Sequence, residues 1–217
     1  ELGDLIRLQV LILGRGRNCL MGPLFPEMGN LVNLRYLEIS DTALTGEIPT
    51  EIGQLSNLEY LSLADNNVRL VETQKCYSSQ SPLGFGLDGE IPSNIWSLAK
   101  LETLILRGNR LAGDIPAANI EGMTRLRLLD LGKNALGRLD EDLYPFPMPL
   151  TALLQLEELY LGGNEYASDI PPELAEMNTL RVLDLSSNFF FGGLPRQLSA
   201  LTNLLSLTLD NNRLARL

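Results

Sequence analysis

A period of 24 residues runs along the chain and constrains its fold more than any other feature. The template LxxLxxLxLxxNxLxGxIPxxLGx describes every row, and positions 1, 4, 7 and 9 are apolar in all eight rows. One such row cannot close a hydrophobic core, whereas stacked rows bury a continuous one, so the period predicts a solenoid. The rows begin at Leu5, Leu31, Leu55, Leu98, Met123, Leu153, Met177 and Leu201.

Two features inside the template predict local structure. The alternation at positions 7 and 9 places two side chains on one face of a short strand, so we expect eight short parallel strands. Position 12 is asparagine in seven rows and Thr42 in the second row. An amide at this place can satisfy backbone groups that the turn after the strand would otherwise bury unpaired.

The second half of the row, LxGxIPxxL, recurs as "LTGEIPTEIGQL", "LDGEIPSNIWSL" and "FFGGLPRQLSAL". Glycine supplies turn freedom here, and proline fixes an extended path that excludes a regular α-helix. This pattern resembles the plant-type leucine-rich repeat family, which includes receptor-kinase ectodomains and polygalacturonase-inhibiting proteins. The resemblance implies an α/β-type leucine-rich repeat solenoid: a curved right-handed array with a parallel concave sheet, an irregular or 3-10 convex side and little α-helix.

The array occupies residues 1–217 as one domain, with about 19 extra residues at 68–86 in the third row. Six more enter row five at the Pro-rich "YPFPMP", and two enter row one near Arg15 to Arg17. Long loops in repeat arrays often carry contacts, although neutral drift also produces them. Neither end has a polar cap, so we expect a fragment whose two ends are covered by further sequence or partner chains.

Composition argues against several functions. The net charge is −10, which disfavours nucleic acid as a partner, and histidine is absent. No apolar stretch approaches the roughly 18 residues of a membrane helix, so we expect no direct membrane insertion in this segment.

Two short segments resemble parts of a nucleotide site and of a calcium site, but their surroundings in the sequence exclude both. "GFGLDG", from Gly84 to Gly89, fits GxGxxG, but Ile91 and Pro92 follow where a nucleotide site needs a helix. The acidic run Asp140, Glu141 and Asp142 lacks the spacing of a calcium loop. We therefore expect no enzyme activity, no catalytic residue, no cofactor and no metal site.

Template positions 5, 6, 8, 10 and 11 point outward from the strands, and we call this surface the inner face. Its summed charge is −4 with both signs mixed, which suits hydrogen-bonded recognition of a protein or peptide. Tyrosine is a favoured anchor at interfaces, and Tyr36 and Tyr60 share one column. A solvated ladder with stray tyrosines is the alternative. The predicted contacts across rows two to six are Tyr36, Glu38, Tyr60, Arg107, Asp130 and Tyr160.

Two further features lie outside the inner face. Phe189 and Phe191 flank a core position and predict a lateral contact patch, unless they pack on the neighbouring turn. Cys19 and Cys76 lie two rows apart, about 10 Å by row spacing, which is too far for direct bonding. Because the insertion is long enough to bring Cys76 across, we expect a disulfide if the protein is secreted.

Two functions remain from sequence. The family resemblance implies a non-catalytic recognition module of an extracellular or membrane-anchored receptor-like protein. The chain contains no N-x-S/T sequon, although secreted members of the family usually carry several. This absence, with the missing caps, favours the alternative of an architectural subunit in a larger intracellular or organellar assembly.

Overall fold

The computed structural model describes residues 2–14, 18, 20–67, 86–137 and 145–216, and its main feature is one parallel sheet of eight strands. The strands follow chain order across the sheet, so each repeat adds one strand beside the previous one. The predicted solenoid with a parallel concave sheet is confirmed. We number the repeats one to eight by these strands, which are Val10–Ile12, Tyr36–Glu38, Tyr60–Ser62, Thr103–Ile105, Leu128–Asp130, Glu158–Tyr160, Val182–Asp184 and Ser206–Thr208.

The opposite, convex side consists of short 3-10 helices, and the described residues contain no α-helix. A proline precedes or begins most of them: Pro49, at φ −66° and ψ 140°, leads into Thr50–Gln54. Such a residue fixes the chain in an extended approach, as the sequence predicts. No helix in the described part of the chain has the length and apolar character to cross a membrane. The 3-10 helices are Leu2–Asp4, Pro26–Asn30, Thr50–Gln54, Ser93–Ser97, Ile120–Gly122, Met148–Ala152, Pro172–Glu176 and Arg196–Ala200.

Short strands between the two sides form additional parallel pairings that the sequence analysis did not predict. The template glycine within two of them has a positive φ, 76° at Gly46 and 82° at Gly113, which glycine adopts at little steric cost. Gly86, the last residue of the predicted insertion, begins one of these strands, and the rest of the insertion lies outside the described residues. These strands are Met21–Gly22, Ala43–Glu47 and Gly86–Asp88; Ala112–Gly113 and Ala135–Leu136; Phe191–Gly193 and Arg213–Arg216.

The template leucines form one continuous core through the stack. In repeats two to seven the side chains at positions 1, 4, 7 and 9 are all buried. At the outer repeats Leu5 and Leu207 are 51% and 38% exposed. Coverage of these residues by further chain or by a partner stays a prediction.

The position-12 asparagines bond each repeat to the one before it. Asn109 donates its amide to the carbonyl oxygens of Leu106 and Leu63, at 2.9 and 2.7 Å, and accepts the backbone N–H of Leu87 at 3.1 Å. Asn66, Asn134, Asn164, Asn188 and Asn212 bond in the same way to their own and the preceding repeat. The predicted backbone role of this residue is confirmed.

Candidate functional site

Tyr36 and Tyr60 form a stacked pair on the inner face. The two residues are register partners on neighbouring strands, and their ring centroids lie 4.2 Å apart with planes 4° from parallel. Both side chains are half-buried, so part of each remains accessible to solvent. The sequence placed these residues in one column, and the structure brings them into direct ring contact.

Glu38 accepts a hydrogen bond from one tyrosine of this pair. The Tyr36 hydroxyl donates to Glu38 Oε2 at 2.7 Å, and Glu38 is only 4% exposed. Burial and this bond raise the pKa of Tyr36 above its ordinary value. Ser40 and Ser62 are also buried, with their hydroxyl oxygens 2.9 Å apart. The side chains at positions 8 and 10 are therefore buried in repeats two and three, and the Tyr36 hydroxyl bonds to position 8 of its own strand. Contact of Glu38 with a partner stays a prediction.

A column of ion pairs at position 5 borders the tyrosines. Arg35 donates from Nη2 and Nε to Glu59 Oε1, at 2.6 and 3.0 Å. Farther along, Glu157 accepts from Arg127 and lies 3.5 Å from Arg181 Nε. The sequence analysis missed this column, although opposite charges one period apart were a usable signal.

Glu102 lies between the two sets of ion pairs. It is exposed, and among the described residues no cation pairs with it. Its backbone N–H donates to the Glu59 carbonyl at 2.8 Å, so the two glutamates occupy adjacent strands. An open groove of about 470 Å³ begins here and passes over the tyrosine pair. Its lining residues are Gln9, Val10, Arg35, Tyr36, Glu59, Tyr60, Glu102 and Thr103.

The other predicted contacts form a second cluster in repeats four to six. Arg107 Nε lies 3.7 Å from Asp65 and 3.9 Å from Asp130. Asp130 Oδ1 accepts the Gly132 N–H at 3.0 Å, and its side chain is 14% exposed. Burial raises the pKa of Asp130, and the bond from Gly132 and the charge of Arg107 offset only part of that rise.

Tyr160 adjoins this cluster as the register partner of Asp130. Its hydroxyl donates to Glu158 Oε2 at 2.6 Å, and this bond, together with burial, raises the pKa of Tyr160 to about 12. The described contacts divide the six predicted residues into two neighbouring clusters, one in repeats two and three and one in repeats four to six, and their contact with a partner stays a prediction.

The lateral phenylalanines lie on the side strand of repeat seven rather than on the inner face. Phe189 and Phe191 are 39% and 38% exposed, while Phe190 between them is buried. The Arg213 guanidinium covers Phe189 at 4.7 Å from the ring centroid. A neighbouring repeat therefore shields part of this patch.

Several sequence features lie outside the described residues: Arg15 to Arg17, Cys19, Cys76 with most of its insertion, Gly84, and the run from Asp140 to Asp142. Within the described ranges no group of three metal-ligating side chains is arranged to hold an ion. The inner face offers ring stacking, hydrogen bonds and ion pairs, which is the chemistry of recognition.

Comparisons with known proteins agree with the repeat pattern. Models of the leucine-rich repeat match residues 33–55 and 155–214. Receptor-like protein 41 of Arabidopsis thaliana is 36% identical over 109 residues, which are 49% of this chain and 12% of that protein. This chain therefore spans a small part of the length of its curated relatives.

Solved plant receptor ectodomains share the fold over nearly the whole chain. The ectodomain of the Arabidopsis thaliana receptor kinase GASSHO1/SCHENGEN3, in complex with CASPARIAN STRIP INTEGRITY FACTOR 2, superposes with a TM-score of 0.82 and 34% identity, covering 98% of this chain and 22% of that one. The Arabidopsis receptor kinase HAESA, in complex with the peptide hormone IDA and the co-receptor SERK1, gives a TM-score of 0.75 and 27% identity, covering 94% and 30%. With its asparagine-bonded repeats and LxGxIP segments, the chain is built of plant-type leucine-rich repeats.

Proposed function

We propose that this chain is a non-catalytic recognition module of an extracellular or membrane-anchored receptor-like protein, and that it binds a peptide or protein on its inner face. The stacked Tyr36–Tyr60 pair carries this proposal. Two half-buried rings on a strand layer offer apolar surface beside hydroxyl groups, a combination that is enriched at interfaces. The similarity to receptor ectodomains that were solved with bound peptides supports the same function.

The inner face is also rigid in a way that favours binding. Tyr36 is held by Glu38 and by the ring of Tyr60, and Asp130 is held by Gly132 and Arg107. Side chains that are already fixed lose little conformational entropy when a ligand docks. The alternating charges at position 5 would orient a ligand and affect its association rate more than its affinity.

The proposed contact surface runs along repeats two to six. Tyr36, Tyr60, Arg107 and Tyr160 would touch the ligand directly, with Asp130 at the centre of the second cluster. Glu38 would act through Tyr36, since its carboxylate has almost no exposed surface.

Affinity capture with matched baits tests the proposal. The purified chain, a Tyr36→Ala/Tyr60→Ala bait and a Phe191→Ala bait would be exposed to the secreted proteins and peptides of the source tissue, and bound species would be quantified by mass spectrometry. Losing a central aromatic anchor typically costs 1 kcal/mol or more, so the double variant should lose at least about fivefold of a specific partner. The lateral variant should retain it.

The opposite pattern would reject the inner face. If the double-alanine bait keeps its partner while Phe191→Ala or deletion of residues 68–85 loses it, the partner binds laterally. The deletion should stop at residue 85, because Gly86 pairs with Thr45 in a side sheet.

A further inference from the structure

The tyrosine stack on the inner face ends at repeat four, at a short side chain. Tyr36 covers one face of Tyr60, and the register partner of Tyr60 on its other side is Thr103. Threonine does not extend as far from the sheet as a tyrosine ring, so the groove continues over it. Among the described residues no second ring and no guanidinium lies against Tyr60. The column therefore has a third layer that is open.

Near this open layer, the carboxylate of Glu102 has no ion-pair partner among the described residues. Glu59 and Glu102 lie on adjacent strands, and the only cation in the groove, Arg35, bonds to Glu59. The next arginines along the sheet are also engaged: Arg127 pairs with Glu157, and Arg107 lies between Asp65 and Asp130. The described residues that line the groove thus carry one net negative charge, and Glu102 also lines a neighbouring depression with Arg125 and Arg127.

We propose that the groove binds an arginine side chain of the ligand, with its guanidinium stacked on Tyr60 above Thr103 and paired with Glu102. This inference rests on the proposed function and specifies the chemistry of the ligand at repeats two to four. A guanidinium is flat and weakly hydrated, so it stacks on aromatic faces while its edge donates hydrogen bonds to a carboxylate. Lysine supplies the charge but not the flat surface, and a neutral ring would stack without satisfying Glu102.

Small probes test the site without knowledge of the natural ligand. The ¹⁵N-labelled chain would be titrated with the capped tripeptide acetyl-Gly-Arg-Gly-amide and with its citrulline analogue, which keeps the planar shape but carries no charge. We expect saturable shifts at the amides of Glu102 and Thr103 with the arginine peptide at millimolar concentration. The citrulline peptide should bind at least about threefold more weakly, because it forfeits the ion pair and the cation–π contact.

Two substitutions locate the probe. Thr103→Tyr fills the third layer with the residue type that occupies the same template position in repeats two and three, and it should abolish binding. Ser206→Tyr, at that position in repeat eight, is its matched control and should leave binding unchanged. Glu102→Gln should weaken binding about threefold to fivefold, as expected for a partly exposed ion pair. Equal binding of both peptides, or unchanged binding to Thr103→Tyr, would overturn the inference.

A peptide-display selection separates this inference from the broader function. Selected peptides that lose binding to Tyr60→Ala and also lose it when their arginines become citrulline support both. If the peptides need Tyr60 but tolerate the loss of every arginine, the arginine site is wrong and the recognition function stands. If neither the selection nor the tripeptide gives binding at the inner face, both are wrong.

Discussion

The inner face has two halves that use the same template positions differently. In repeats two and three, the tyrosine half, position 6 carries a tyrosine and position 8 is buried, with Glu38 and Ser62 at 4% and 3% exposure. In repeats five to seven, the aspartate half, position 6 carries no aromatic residue. Asp130, Tyr160 and Asp184 at position 8 remain half-buried.

This difference shows that the burial and hydrogen bonding of a side chain on the inner face depend on the side chains beside it, and not only on its position in the template. The backbone is the same in both halves, since every strand pairs in register with the next. The position-8 carboxylate of Glu38 is buried and bonded to a tyrosine, whereas that of Asp130 is only partly buried. The predictions below test whether the difference arises from these side chains alone.

The largest effect should come from the asparagine framework, and it should be of similar size in both halves. Asn66→Ala in the tyrosine half removes buried bonds to two carbonyl groups and from the N–H and hydroxyl of Thr42. Asn164→Ala in the aspartate half removes buried bonds to two carbonyl groups and from one N–H. Leaving such groups unpaired should lower the free energy of unfolding by about 2–4 kcal/mol in each case. Urea unfolding followed by circular dichroism measures this.

Asn18→Ala is the matched control, because Asn18 is exposed and, among the described residues, its amide bonds to the Leu13 carbonyl. Its cost should stay within about 0.5 kcal/mol. A difference of more than about 1 kcal/mol between Asn66 and Asn164, beyond the additional bond from the Thr42 hydroxyl, would mean that the two halves differ in their framework and not only in their face.

A smaller effect should distinguish the halves: the loss of one tyrosine hydroxyl. Tyr36→Phe removes a donor from a buried carboxylate and should cost about 1–2 kcal/mol. Tyr160→Phe removes the same type of bond from Glu158, which is only half-buried and can exchange the hydroxyl for water, so it should cost about 0.5 kcal/mol. Thermal and urea unfolding of the two variants compare them directly. Equal costs would show that Glu38 is no more dependent on its tyrosine than Glu158 is.

The repeat, the strands and the convex side could be predicted from sequence because each depends on residue types that recur every 24 positions. Leucine at positions 1, 4, 7 and 9, asparagine at 12 and the LxGxIP segment all carry local physics, and the structure places them as expected. The side strands were missed because they are two to five residues long and contain no apolar alternation of their own.

The site was predicted less completely, because it depends on contacts between repeats. The shared column of Tyr36 and Tyr60 was visible, but the cover they give to Glu38 was not, since a sequence does not state how far a ring leans along its strand. The ion pair of Arg35 with Glu59 could have been predicted in the same way, because the two residues share template position 5 in neighbouring repeats. The available carboxylate of Glu102 emerges only when the pairs on both sides of it are known.

The smallest effect concerns the charge of Asp130 in the aspartate half. Burial raises the folded-state pKa of this carboxyl above its unfolded value, despite the attraction of Arg107. The folded state then holds the proton more tightly, so this group stabilises the fold below its unfolded pKa and loses that contribution as pH rises through the folded pKa. Asp130→Asn keeps an oxygen for the Gly132 N–H but carries no charge at any pH. The variant should therefore match the parent chain near pH 3 and exceed its stability at pH 7, by less than about 1 kcal/mol.

Urea unfolding at both pH values measures the difference. Asp184→Asn corrects for replacing a carboxylate by an amide at this template position, since Asp184 makes the same bond to the N–H two residues on. If Asp130→Asn is instead less stable at pH 7 than at pH 3 relative to the parent, the attraction of Arg107 outweighs burial and the charge of Asp130 supports the aspartate half.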